Sequence, residues 1–395
     1  MLDDEVTQAA ETAPGGAAPA VTVARTARKG AGLSRPEDAR SHNRALVLQS
    51  LYRGEGLSRA DVARELGLTR VTISDVVAEL LAEGLVVELG LRADSRPGKP
   101  ATLLDINRAG FHVIGVDLSS STTFRGAITD LSGAVVAREE VDIARLTGTG
   151  VIDGAVRLIE NLVARADRPV IGVGVGSPGL VDADGRVLSA PGLGWHDVPL
   201  QRELEARIGL PVLVANDANA AALAERTFGG GSDDMIVVRI GRGVGSGLVV
   251  GGHPVQGSRW AAGEIGHVVV GTDDGEPCPC GKNGCLETWL GAPHVEAKLA
   301  GADSAQAEEI LREAGGRLGI VLAPVVGALN LAEVVVAGPQ ELLDVPFMRG
   351  LDETLRQRTM AELHGDLTVR ATELGRDIVV LGAVVMVLTG QLGVS

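Results

Sequence analysis

All three cysteines of this 395-residue chain lie within eight positions, in the segment PCPCGKNGCLET at residues 277–288. They are Cys278, Cys280 and Cys285. Three clustered thiols cannot all pair with one another, and disulfides are rare in the cytoplasm, so metal binding is favoured over bridging. The spacing therefore predicts a metal site.

A second group of candidate residues carries carboxylate or amide groups. Asn216 and Asp217 stand between the strand-like run VLVAN and a helical run, Glu264 lies in AAGEIGH, and Glu287 follows the last cysteine. Ligands bind at strand ends in α/β folds, and such side chains suit sugar hydroxyls, which both donate and accept hydrogen bonds. Each residue alone is weak evidence, because an aspartate at a strand end is more often a helix cap.

Strand-like and helical segments alternate along most of the chain and would position these residues. At roughly 100–200 residues per domain, the length predicts two or three domains, and 45% apolar residues can give each one a core. Gly-rich apolar runs such as FHVIGVDL and VIGVGVGSP alternate with helical patterns, and a similar order returns after residue 235. This order predicts α/β construction in two related lobes.

The region before residue 100 has a different pattern, in which two short helices are followed by a strand and a basic turn. Ser58 is placed to cap SRADVAREL, Gly67 ends it, and Thr69 caps RVTISDVVAELLAEG, whose apolar residues form one stripe. A second helix of this kind enters the DNA major groove in helix-turn-helix proteins, and a basic wing reaches an adjacent groove or backbone. The predicted DNA contacts are Thr69, Arg70, Thr72 and Ser74 on the helix and Arg96, Gly98 and Lys99 in the turn.

The charge of the chain is unevenly distributed. The net charge is -15, yet residues 25–53 carry more Lys and Arg than Asp and Glu and could face phosphates. Residues 1–36 are rich in Ala, Gly, Pro and Thr without periodicity, so we expect a disordered arm. No uninterrupted run of about 18 apolar residues and no secretory leader is visible, so we expect a cytoplasmic protein with no membrane partner.

AAGEIGH followed by CPCGKNGCLE resembles the signature of the ROK family, which contains repressors and sugar kinases. The resemblance extends over residues 40–395 and implies an actin-like (ribonuclease H-like), two-lobed sugar-kinase fold of the α/β class, preceded by an α+β winged helix-turn-helix domain. The implied divisions are a winged helix at 37–100, a first lobe at 101–214 plus 373–395, and a second lobe at 215–372 with the metal site and oligomerisation helices.

The family resemblance also implies ligands for particular residues. It implies a structural zinc ion bound by His267, Cys278, Cys280 and Cys285. It implies a sugar bound by Asn216, Asp217, Glu264, His267 and Glu287. His267 would use one ring nitrogen for zinc and the other for sugar, so that the metal fixes its tautomer.

The nucleotide-binding elements of family kinases are altered in this sequence. The segment DLSSST, from Asp117 to Thr122, corresponds to a D-x-G-G-T-K loop, and both glycines are replaced, by Ser119 and Ser120. A side chain blocks close approach of phosphate to the backbone, and Thr122 removes the positive charge of the lysine. We therefore expect sugar sensing without phosphorylation and no catalytic residues.

The predicted function is a sugar-responsive transcriptional regulator, in the first instance a repressor of carbohydrate genes. Its partners would be a double-stranded DNA operator, a sugar or sugar-phosphate effector, and further copies of the chain in a homodimer or homotetramer. Two alternatives stay open: an ATP-dependent sugar kinase fused to a DNA-binding domain, and a regulator controlled by a protein partner. The fold does not decide between repressor and activator.

Overall fold

The structure, a computed structural model, describes residues 36–394 except for 93–100, 145, 147, 271–274, 364 and 366. The predicted disordered arm lies outside the described residues, apart from Pro36, which begins the first helix. The predicted basic turn with Arg96, Gly98 and Lys99 also lies outside them.

Helices and strands alternate through the described residues. The helices are α1 (Pro36–Arg53), α2 (Arg59–Leu66), α3 (Arg70–Ala82), α4 (Thr149–Arg165), α5 (Leu200–Ile208), α6 (Asp217–Phe228), α7 (Leu286–Leu290), α8 (Ala292–Leu299), α9 (Ser304–Leu329), α10 (Val345–Arg358) and α11 (Ile378–Val387). The strands are β1 (Leu57–Ser58), β2 (Val86–Leu91), β3 (Thr102–Ile106), β4 (His112–Asp117), β5 (Thr123–Thr129), β6 (Val135–Asp142), β7 (Val170–Ser177), β8 (Leu180–Val181), β9 (Val187–Ala190), β10 (Trp195–Val198), β11 (Val212–Asn216), β12 (Met235–Ile240), β13 (Val244–Val250), β14 (His253–Pro254), β15 (Glu333–Ala337) and β16 (Thr368–Ala371).

Two five-stranded sheets of the same topology form the larger part of the molecule. The first sheet has the order β11-β7-β4-β5-β6, and the second has the order β14-β13-β12-β15-β16. In each sheet three consecutive strands pair in antiparallel fashion, and two later strands then add in parallel on the side of the first of the three. The predicted α/β construction is confirmed, and the repeated strand order matches the similar order of strand-like and helical runs that returns after residue 235.

Helix α11 packs directly onto the first sheet and onto α6. A Cβ atom on Gly174 of β7 would lie 1.9 Å from the carbonyl oxygen of Ala383, and one on Gly382 would lie 1.8 Å from that of Ala220. Only glycine allows backbones to approach so closely. The stretch Gly375–Leu392 has the length and composition of a membrane span, but 67% of it is buried within this packing, as in a core helix.

The helices α1 to α3 pack around a three-stranded sheet of order β1-β3-β2. Ser58 and Asp61 form a capping box at the start of α2, Gly67 ends it in the left-handed conformation, and Thr69 caps α3, as predicted. β3 belongs to this small sheet, although the predicted boundary at residue 100 assigns it to the first lobe. Its pairing with β2 explains the difference, because β3 is the second strand of the wing hairpin.

The winged helix shares a hydrophobic core with the first sheet. Val47, Leu48 and Leu51 of α1 belong to the same buried cluster as Val384, Leu388, Leu392 and Val394, and as Val113 and Ile171 of the sheet. The Tyr52 hydroxyl donates to the Leu131 carbonyl oxygen at 2.8 Å, and Arg108 donates to the Tyr52 carbonyl oxygen at 3.1 Å. The two parts are therefore packed together rather than joined by a linker alone.

We expect Gly382→Ala to lower the thermal unfolding midpoint, because its Cβ would overlap the Ala220 carbonyl oxygen. Overpacking of this kind costs about 1–3 kcal/mol. The matched control is Gly327→Ala in α9, where a Cβ meets nothing within 4 Å and where alanine favours the helix by ~1 kcal/mol. Scanning calorimetry of the two variants checks this, and equal midpoints would contradict the close contact.

Candidate functional site

Asn216 and Asp217 lie where β11 ends and α6 begins. The Asn216 Oδ1 accepts hydrogen bonds from the backbone N–H groups of Ala218 at 2.9 Å and Asn219 at 3.0 Å, and its Nδ2 donates to the Gly179 carbonyl oxygen at 2.8 Å. Asn216 is thus the N-cap of α6, and its side chain is largely committed to the protein. A cap holds the start of the helix, and hence Asp217, in a fixed position.

Asp217 forms a largely buried ion pair with Arg239 of β12. The Arg239 Nη1 donates to the Asp217 Oδ2 at 2.8 Å, while the other carboxylate oxygen accepts from the Ala218 backbone N–H at 2.8 Å. The Asp217 side chain is 10% exposed, and the Arg239 side chain is 23% exposed. Burial raises the pKa of the Asp217 carboxyl above its ordinary value, and the Arg239 charge opposes that rise. Arg239 thereby offsets the cost of burying the carboxylate.

Three other predicted sugar residues lie near Asp217. Glu264 immediately precedes a 3₁₀ turn that contains His267, and the Glu264 Oε2 is 4.0 Å from the His267 Nε2. Glu287 is in α7, and its Oε2 accepts a hydrogen bond from the Val244 backbone N–H at 3.2 Å. Burial raises the pKa of Glu264, His267 lowers it, and the charges of Asp217 and Glu287 add to the rise. The structure therefore brings these acidic groups and the imidazole together where residues of the two sheets contact each other, a region that we call the cleft.

The cysteine cluster and His267 form a compact group of potential metal ligands. The ligand atoms of His267, Cys278, Cys280 and Cys285 all lie within 4.8 Å of one another. The Cys278 Sγ is 3.5 Å from the His267 Nδ1, and the Cys280 Sγ is 3.5 Å from the Cys285 Sγ. Metal–sulfur bonds of ~2.3 Å in a tetrahedral site imply ligand separations of about 3.6–3.8 Å. The cluster thus fits a four-coordinate ion with little adjustment.

The two ring nitrogens of His267 face different groups. Nδ1 faces the cysteine cluster, and Nε2 faces Glu264. Burial raises the pKa of the Cys285 thiol to about 12, whereas the Lys282 backbone N–H lowers the pKa of Cys280. A metal ion must displace the thiol protons in order to bind, so its affinity falls as the pH falls.

Helix α3 presents an exposed surface at its N-terminal end. Ile73, Val76, Val77 and Leu80 are buried as predicted, whereas Leu81 is only half-buried. The Thr69 Oγ1 accepts from the Thr72 backbone N–H at 3.1 Å, and the two hydroxyl oxygens are 2.9 Å apart. Arg70 and Ser74 are exposed. The four helical residues predicted to contact DNA therefore lie together on the free end of the helix.

Three residues of these surfaces were not predicted from the sequence. Val71 of α3 is 70% exposed, next to Arg70. Arg239 and Arg242 lie on the strand β12 and the Gly-rich turn after it. Two of the three had a visible signal: Val71 falls outside the apolar stripe, and Arg239 interrupts the otherwise apolar strand MIVVRI.

The two sheets with a cleft between them, preceded by a winged helix, define a two-lobed α/β protein with a DNA-binding type of N-terminal unit. The chain belongs to the ROK family, which it matches over residues 113–389, and residues 39–97 match the MarR family. The predicted resemblance and the predicted actin-like fold with a winged helix are confirmed.

Relatives of this chain carry two kinds of name. It is 29% identical over 386 residues to a putative xylose repressor from Caldicellulosiruptor sp. (strain Rt8B.4). The alignment covers 89% of this chain and 96% of the relative. A ROK family transcriptional regulator described as a homolog of the E. coli MLC protein has the same fold, with a TM-score of 0.78 and 24% identity. The match covers 90% of this chain and 98% of that structure. A ROK family glucokinase from Streptomyces griseus, in complex with glucose and AMPPNP, has a TM-score of 0.60 and 27% identity. The match covers 70% of this chain and 98% of that structure.

We expect the purified chain to contain one metal ion per molecule and the Cys285→Ser variant to contain none, because replacing one of four ligands opens the site. Elemental analysis after expression in metal-replete medium measures this. His253→Gln is the matched control, since His253 is exposed and bonds the Gly251 carbonyl oxygen outside the cluster. Full metal content in Cys285→Ser would show that the cluster does not hold the ion.

Proposed function

We propose that this protein is a sugar-responsive transcriptional regulator, most directly a repressor of carbohydrate genes. The observation that carries the proposal is the shared core of the winged helix and the first sheet, which packs a DNA-reading helix onto the body that forms the acidic cleft. The repressor names among the relatives support this reading. Such a regulator works in the cytoplasm on a double-stranded operator.

The cleft supports sugar binding through its acidic groups. Asp217, Glu264 and Glu287 offer acceptor oxygens, and His267 offers a ring nitrogen, so together they match the donors and acceptors of a polyol. Asn216 acts mainly by capping α6, so its part in our proposal is to position Asp217. A sugar or a sugar phosphate is the effector in this proposal.

The same cleft is poorly suited to phosphoryl transfer. Serine side chains fill the loop after β4, where phosphate would approach the backbone of a glycine. A sugar kinase fused to a DNA-binding domain is the second candidate, which the glucokinase likeness favours.

Zinc is the metal that we propose for the cysteine and histidine cluster. Three thiolates and one imidazole in tetrahedral arrangement form a closed structural site for zinc, with no open position for substrate. The ion would connect two segments. One is the turn that contains His267, directly after Glu264, and the other is the loop before α7, the helix that carries Glu287. It would also fix the tautomer of His267, leaving Nε2 directed at the cleft.

Regulation of DNA binding requires at least two copies of the chain in this proposal, as a homodimer or homotetramer. Two recognition helices of a dimer must lie about 34–36 Å apart to enter successive major grooves. A ligand that binds one arrangement ~100-fold better than the other supplies ~2.7 kcal/mol for switching. The ligand therefore needs to change only the spacing of the two winged helices.

We expect one member of a panel of D-xylose, D-glucose and N-acetyl-D-glucosamine to bind the metal-loaded protein in isothermal titration. Asp217→Ala should weaken that binding by ~100-fold, whereas Asp233→Ala, which removes an exposed carboxylate paired with Arg226, should leave it unchanged. ADP release in the presence of ATP should stay at background. Turnover of ATP would instead establish the kinase alternative, and absence of any binding would favour a protein or phosphorylated effector.

We expect the exposed Val71 to contact the methyl group of a thymine in the major groove, because apolar side chains read that methyl. In an operator selected from random duplexes, thymines are replaced one at a time by deoxyuridine, which lacks the methyl group. At one thymine position, the deoxyuridine substitution should weaken DNA binding by the wild type but leave binding by Val71→Ala unchanged. Val136→Ala, which alters another exposed valine on β6, is the control. An identical deoxyuridine profile for the wild type and Val71→Ala would contradict the contact.

A further inference from the structure

The altered loop DLSSST contacts two arginines of the second sheet across the cleft. Ser119 and Ser121 lie in the loop after β4 of the first sheet, and Arg239 and Arg242 lie on β12 and the turn after it in the second sheet. Arg239 donates from Nη2 to the Ser119 hydroxyl oxygen, and Arg242 donates from Nη1 to the Ser121 hydroxyl oxygen at 2.9 Å. Two arginines from one side thus bind two serines from the other.

The Arg239 contact is part of a longer chain of polar groups. The Ser119 hydroxyl donates to the Asp117 Oδ1, and the Ser119 backbone N–H donates to the same oxygen at 2.9 Å. The guanidinium therefore connects Asp117, through Ser119, with Asp217, whose carboxylate it bonds directly. Asp117 and Asp217 both add negative charge beside Arg239 and raise its pKa, so that it stays charged in spite of its burial.

In a cleft that transfers phosphoryl groups, the nucleotide phosphates lie between the loops of the two sides, and Mg²⁺ neutralises the negative charge there. Here a side chain of the protein takes that position, because a guanidinium already lies between the two aspartates. The Ser119 hydroxyl gives the Arg239 guanidinium an acceptor that a glycine at that position would lack. Ser121, at the threonine position of the pattern, accepts from Arg242. The hydroxyls of the altered loop and the guanidinium groups of the second sheet are therefore complementary as acceptors and donors.

We propose that Arg239, Arg242, Ser119 and Ser121 form an inter-sheet clamp, which holds the two sides of the cleft together in place of a nucleotide. The clamp makes ATP unnecessary for closure and excludes its phosphates from the loop after β4. Arg239 is also a positioning residue, because it fixes the orientation of the Asp217 carboxylate. This second role rests on the proposed sugar site, whereas the clamp itself does not.

A double-mutant cycle in the ligand-free, full-length protein tests the clamp. The readout is amide hydrogen exchange, followed by mass spectrometry, in the peptide that spans residues 118–123. We expect Arg239→Met and Ser119→Ala each to raise the exchange rate by ~10-fold. The double variant should also raise it by ~10-fold, rather than by ~100-fold, because both substitutions remove the same contact. Arg186→Met, which breaks an ion pair with Asp197 at 2.8 Å outside the clamp, should leave the rate unchanged.

The result that overturns the clamp is a double variant whose effect equals the product of the two single effects. Protection of the same wild-type peptide by AMPPNP with Mg²⁺ would also overturn it, because the nucleotide would then occupy the loop. Neither readout needs sugar, so the clamp and the proposed sugar site fail separately. If a sugar binds, its affinity in wild type should change less than twofold on adding AMPPNP with Mg²⁺, and a larger gain contradicts a clamp that replaces nucleotide.

Discussion

The close contact between α6 and α11 determines how the parts of this chain are related. α6 begins with Asp217 in the cleft, while α11 lies on the first sheet and continues into the core beneath the winged helix. Because no side chain fits at Gly382, the two helices are in backbone contact and a shift of one displaces the other. The cleft and the winged helix are therefore connected by packed elements.

The features that could be predicted from the sequence depend on residues a few positions apart. The caps at Ser58 and Thr69 follow from hydrogen bonds over three residues, and the buried stripe of α3 follows from helical periodicity. The cysteine cluster is also local, and the family signature added His267 to it. Alternating strands and helices were sufficient for the α/β class, since the period of apolar residues is set by the geometry of each element.

Features that depend on distant residues could not be predicted. The pairs Arg239–Asp217 and Arg242–Ser121 join segments that no spacing rule connects, and an arginine in a buried strand does not identify its own partner. The capping role of Asn216 was likewise hidden, because an asparagine at a strand end suits both a ligand and a helix.

The shared core beneath α1 also has a consequence for biosynthesis. Domains near the N-terminus generally fold first as the chain leaves the ribosome. Here the hydrophobic surface of α1 is covered by Leu388, Leu392 and Val394, at the far end of the described chain. The N-terminal unit therefore completes its packing only after the C-terminal residues have been translated, and a chain that ends before Leu388 lacks these contacts of α1.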